Sequence, residues 1–136
     1  FNSIHWSVSH KTDFVAGVVS KEAVGIDIEK IKPVSTGLFN KIVHPDEKEL
    51  FDSLSGYRDE TMVFFRTFTA KEAVLKRNRI GISGLSKTRV TMVNDQVHLM
   101  VEFEDKNYLV EHFYLDDHIA SVTKDLFDIE WTVFRE

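Results

Sequence analysis

Asp27 and Glu29 stand two residues apart in the segment Val24-Gly25-Ile26-Asp27-Ile28-Glu29-Lys30-Ile31. The segment alternates apolar and polar with period two, which marks a half-buried strand. Strand geometry sets both carboxylates on one face, roughly 7 Å apart at Cα, and Ile26 and Ile28 on the other. Such a pair repels itself, so a positive group nearby would stabilise it. Hard oxygen ligands at this separation suit Mg²⁺, which takes one or two carboxylates and keeps waters for phosphate oxygens. A solvated polar face on an edge strand accounts for the same two residues on spacing alone.

A third carboxylate, Glu72, lies in the stretch from Asp59 to Lys76, which reads as a helix. At about 100° per residue, Phe64, Leu75, Phe68, Phe65 and Met62 form one apolar arc. Glu72 falls in the middle of that arc, with Lys76 one turn on. A charge there needs a partner or a metal. An i, i+4 ion pair with Lys76 is one answer. A metal site shared with Asp27 and Glu29 is the other, and the three carboxylates together favour it.

Ser7-Val8-Ser9-His10-Lys11 is a further candidate, because a His flanked by hydroxyl and ammonium groups can bind phosphate. A lone His near a strand start is also a common structural residue. His5, His44, His98, His112 and His118 show no ligand spacing and are assigned no metal. Ser9 with His10 is no hydrolase signature, since no Gly-x-Ser-x-Gly surrounds it. Lys71, Lys76, Arg77 and Arg79 form a local basic cluster. It reads either as a solvated helix end suited to the dipole or as a landing site for phosphates or an acidic partner.

These residues need elements to hold them. Asp13 to Val19 reads as a buried strand, and Val24 to Ile31 as the half-buried one. Ser35-Thr36-Gly37 opens a short helical piece, Leu38 to Val43. His44-Pro45-Asp46-Glu47 is a helix start, with Pro at the first position and acids in the first turn. That helix runs to about Leu54 and stops at Ser55-Gly56. The long helix spans about Asp59 to Asn78, with Gly81 and Gly84 on its way out. Thr88–Val93, Val97–Phe103, Tyr108–Tyr114 and Ile119–Thr123 are short strands separated by turn residues, an antiparallel meander. The order predicts one α+β domain over residues 1–136, an antiparallel β-sheet packed against a long helix and shorter helices.

The chain's 136 residues suffice for one real core. Its eleven Phe are assigned to that core. Net charge is −5, which argues against nucleic-acid binding through a basic surface. No apolar run approaches the ~20 residues of a membrane helix, so no membrane partner is expected. Zero Cys excludes disulfides and thiolate chemistry and fits a reducing, cytoplasmic setting. The chain opens on Phe1, and residues 1–9 read as the interior of a fold, so further residues upstream are expected.

Three segments in this order resemble the 4′-phosphopantetheinyl transferases of the surfactin-synthetase-activating type. They are Ser7-Val8-Ser9-His10, Gly25-Ile26-Asp27-Ile28-Glu29, and Phe68-Thr69-Ala70-Lys71-Glu72-Ala73-Val74-Leu75-Lys76. The resemblance covers roughly residues 4 to 85. It implies an Mg²⁺-dependent transfer of phosphopantetheine from coenzyme A to a serine of an acyl or peptidyl carrier protein, releasing 3′,5′-ADP. It places Asp27, Glu29 and Glu72 on the metal ligands and Lys76 on the lysine that stabilises phosphate charge. It places His10 on the histidine that contacts the nucleotide phosphates, with Ser9 supporting it. Glu72 or a water would take the proton from the carrier serine.

Departures from that pattern are Phe68 where the family usually shows Trp, Lys11-Thr12 where small residues usually follow the histidine, and a displaced Gly81 and Gly84. Enzymes of this type contain two similar halves with the coenzyme site between them. This chain resembles the C-terminal half, so an upstream half or a homo-oligomer is expected to complete the site. Rival readings are a metal-dependent phosphodiesterase or nuclease, and a non-catalytic half that binds coenzyme A or a carrier protein.

Overall fold

The structure, a computed structural model, describes residues 4–54 and 59–135. The expected helix stop at Ser55-Gly56 lies outside the described residues. A hairpin comes first, β1 (His5–His10) and β2 (Val15–Ser20), followed by β3 (Ile26–Lys30). Helices α1 (Thr36–Ile42), α2 (Pro45–Asp52) and α3 (Glu60–Arg77) follow, then a 3₁₀ turn at Ile82–Lys87. The chain then forms β4 (Thr88–Val93), β5 (His98–Phe103), β6 (Lys106–Leu115) and β7 (His118–Lys124).

The helices start where the sequence supplies caps. Ser35 Oγ accepts from Leu38 N–H at 3.2 Å at the head of α1. His44 N–H donates to Glu47 Oε1 at 3.0 Å, with Pro45 at the first helical position of α2. Asp59 Oδ1 accepts from Thr61 N–H at 3.0 Å at the head of α3. Each bond satisfies a backbone donor that the helix itself leaves free.

β4 to β7 form the expected antiparallel meander, and β3 adds to β7, giving the order β3-β7-β6-β5-β4. Glu104 and Asp105, both at positive φ, make the tight turn from β5 to β6. The sheet and the helices share one core. Leu99, Val101, Val110 and Ile119 pack on Phe51, Phe64, Phe65 and Val74. Five of the eleven Phe, Phe39, Phe51, Phe64, Phe65 and Phe103, are buried there.

Three expectations are corrected. β3 is not half-buried, because α3 covers its polar face and the hairpin its apolar one; Asp27 is only 4% exposed. The apolar run at Asp13–Val19 is not a buried strand: β2 alternates in and out, and Val15 and Val19 are each 74% exposed. β1 was not legible as a strand at all, yet it pairs along the whole of β2. No described helix is long and apolar enough to cross a membrane.

Candidate active site

β3 is an edge strand, and its outer edge is closed by side chains rather than by a further strand. Ile26 N–H donates to Ser7 Oγ at 3.1 Å and Ile28 N–H to Ser9 Oγ at 3.2 Å. The i, i+2 spacing of the serines matches that of the outward N–H groups on β3. Gly25, at the entry to β3, permits the second contact: a Cβ there would overlap the Ala73 carbonyl of α3. The strand and helix backbones touch, and the side chains just beyond converge.

The convergence centres on Asp27. Its Oδ1 accepts from Ser9 Oγ at 3.2 Å and stands 3.3 Å from Lys76 Nζ. Its Oδ2 is buried without a hydrogen-bond partner among the described residues. Glu29 Oε1 pairs with Lys11 Nζ at 3.0 Å. Glu72 completes the group from α3, half-buried beside Lys76. It does not sit at the centre of a buried apolar face, as the wheel predicts. The helix is buried around most of its circumference, with Val63, Ala70 and Val74 fully covered, and Glu72 emerges at the margin. Lys76 bridges to Asp27 rather than serving Glu72 alone.

The electrostatics record an excess of negative charge. Burial and then repulsion by Glu29 push the Asp27 carboxyl up to about 8 against the pull of Lys76. Burial and then Glu29 raise Glu72 as well, while Lys76 and Lys11 pull it down. Three carboxylates thus face two ammoniums. Among the described residues no group of three or more His or acidic side chains is arranged to hold a metal ion. The carboxylates are instead shared out between Lys11 and Lys76.

His10 is not gathered with Ser9. Strand alternation turns Ser7 and Ser9 toward β3 and leaves His10 exposed with Trp6 and Val8. The basic cluster also divides. Lys71 is buried, its Nζ 3.0 Å from Glu47 Oε1 and 3.0 Å from the Ile42 carbonyl. Glu47 Oε2 meanwhile accepts from Val90 N–H at 2.6 Å, so this pair pins α2 and α3 to β4. Arg77 Nε donates to the Ala23 carbonyl at 3.1 Å. Lys76, Arg77 and Arg79 together line a cleft of about 410 Å³ with His5, Trp6 and Ala23. Lys76 therefore faces both the carboxylates and this basic cleft. The sequence placed Ser7 and Lys11 in a phosphate-binding segment, not against the β3 backbone and Glu29 where they lie; the i, i+2 hydroxyls were the available signal for Ser7.

The model of the 4′-phosphopantetheinyl transferase superfamily matches residues 23–123, from just before β3 into β7. The chain belongs to that superfamily. The 4′-phosphopantetheinyl transferase psf-1 of Bacillus pumilus is 34% identical over 116 residues, covering 84% of this chain and 49% of that protein. The 4′-phosphopantetheinyl transferase ffp of Bacillus subtilis is 32% identical over 80 residues, covering 58% of this chain and 35% of that protein. Enterobactin synthase component D of Salmonella typhi is 30% identical over 104 residues, covering 71% of this chain and 44% of that protein. The chain spans about half the length, or less, of the curated relatives it matches.

Proposed function

We propose that the protein transfers 4′-phosphopantetheine from coenzyme A to a serine hydroxyl of an acyl or peptidyl carrier protein, with Mg²⁺, and releases 3′,5′-ADP. The observation that carries this reading is the meeting of Asp27, Glu29, Glu72 and Lys76 beside a buried carboxylate oxygen that lacks a partner. An orphaned, desolvated oxygen amid surplus negative charge fits a hard divalent cation. Asp27, Glu29 and Glu72 would hold it, once freed from their lysines. When bound, Mg²⁺ supplies charge neutralisation at the diphosphate.

In this reaction the carrier serine oxygen attacks the β-phosphorus of coenzyme A. The bond from that phosphorus to the bridging oxygen breaks, and the electron pair leaves with 3′,5′-ADP. Glu72 takes the serine proton; its raised proton affinity suits a general base. Lys76 offsets charge building on the phosphate oxygens. His10, exposed at the end of β1, meets the nucleotide phosphates, and Ser9 acts through Asp27 and Ile28 rather than on substrate. In the resembled fold the coenzyme lies between two halves, so a second half, in the same chain or from another copy, completes the site.

The test is to mix the protein with Mg²⁺, coenzyme A and an apo carrier protein and to weigh the carrier. A mass gain matching phosphopantetheine is the expected result. A carrier left at its apo mass while coenzyme A still binds would make this a non-catalytic half. Cleavage of a phosphodiester without transfer would favour the hydrolytic reading.

A further inference from the structure

Lys11 lies at the start of the turn between β1 and β2. Its N–H donates to the Phe14 carbonyl at 2.8 Å, which closes the turn and fixes where the side chain departs. From there the stem reaches to β3, and Nζ meets Glu29 Oε1 at 3.0 Å. The Glu29 side chain is 16% exposed and that of Lys11 is 40% exposed. The carboxylate is covered, and the ammonium is reachable from solvent.

The two lysines of the cluster differ in the elements that carry them. Lys76 rises from the packed helix α3 onto the buried Asp27. Lys11 sits on a turn, on a flexible four-carbon stem, with a strongly hydrated head group that returns to water readily. Its hydrogen bond with Glu29 holds it protonated, and the charges of Glu29, Asp27 and Glu72 add to that. One ammonium is therefore attracted by all three carboxylates.

We propose that Lys11 is a built-in counter-cation of the carboxylate cluster, and that a divalent cation binds there only by displacing its ammonium from Glu29. The proposal rests on the metal reading of Asp27, Glu29 and Glu72. Without a divalent ion Lys11 partly neutralises the cluster. When the ion enters, Lys11 moves to solvent, and its proximity lowers the affinity of the site.

Calorimetric titration with Mn²⁺ and Mg²⁺, without coenzyme A or carrier, tests this. The proteins compared are wild type, Lys11→Met, Lys11→Gln and Lys11→Arg, each checked for its fold by circular dichroism. Removing one like charge at contact range tightens divalent binding about tenfold at low salt, and the gain shrinks as salt screens it. Lys11→Met and Lys11→Gln show that gain, and Lys11→Arg stays near wild type. Equal or weaker binding by the neutral variants, with wild type binding the ion, overturns the role of Lys11 and leaves the metal reading standing. If no variant binds either ion, the metal reading fails and the proposal with it.

Discussion

Gly25 and Ala73 are in close backbone approach: a Cβ on Gly25 would overlap the Ala73 carbonyl of α3, and only a hydrogen fits there. This contact sets the distance between the strand that carries Asp27 and Glu29 and the helix that carries Glu72 and Lys76. The motif glycine thus serves close approach, not a turn.

Gly25→Ala forces strand and helix apart, because the obstacle is backbone and cannot rotate away. The expected loss is about 2–3 kcal/mol, at the upper end for an overpacked core position. Urea unfolding measures it. Unfolding at the wild-type midpoint would mean that the contact is looser than described.

Asp27 gives the fold a pH signature. Its folded value of about 8 exceeds its ordinary 3.8, so the folded protein holds a proton that the unfolded chain releases. The contribution of Asp27 to stability is therefore fully present below about 4, falls as pH rises through the window from 3.8 to about 8, and then levels; the buried His112 and the lowered Asp95 and Glu111 act in the opposite sense at the acid end. Glu72 shifts in the same direction. The fall is on the order of 2–5 kcal/mol across the window. Asp27→Asn flattens most of it. Urea unfolding of both proteins at several pH values, without divalent ions, reads the difference in slope, and parallel profiles for wild type and Asp27→Asn refute the coupling.

Glu72→Gln keeps the shape of the side chain and removes the base. It lowers transfer at least about 10²-fold, in the range of a lost general base. Since Glu72 lies at the margin of the packed helix, the melting temperature stays close to wild type. Initial rates of carrier modification decide the matter, and a wild-type rate would strike Glu72 from the mechanism.

Ser9 and His10 separate under substitution although they are adjacent. Ser9→Ala leaves the Ile28 N–H without its acceptor and Asp27 with Lys76 as its remaining donor, a loss of about 1–3 kcal/mol. His10→Ala leaves stability unchanged, because the ring is exposed, and raises the KM for coenzyme A. Paired denaturation and kinetic measurements distinguish the two. A destabilised His10→Ala would assign that residue to the fold instead.

The four residues that converge, Asp27, Glu29, Glu72 and Lys76, were legible as candidates one by one. A period-two strand had to set Asp27 and Glu29 on a common face, and a charged Glu72 and Lys76 on a Phe-rich helix had to have partners. The meander was legible because β4 to β7 are local, each joined to the next by turn residues that announce themselves. α3 was legible from its apolar residues at helical spacing and its length. Less visible was β1, where Ser-Val-Ser-His lacks a strong apolar signal and gains its strand only by pairing with β2.

The sequence alone determined which groups carry charge, which elements they ride on, and the period that puts Asp27 beside Glu29. Tertiary structure alone decided who neutralises whom. Lys76 goes to Asp27, Lys11 to Glu29 and Lys71 to Glu47, across separations no local period encodes. The reason is that pairing depends on which surfaces are desolvated together. For Asp27 and Glu29 that was set by the closure of β3 between the serines of β1 and the backbone of α3, and for Glu47 by the packing of α2 and α3 on β4.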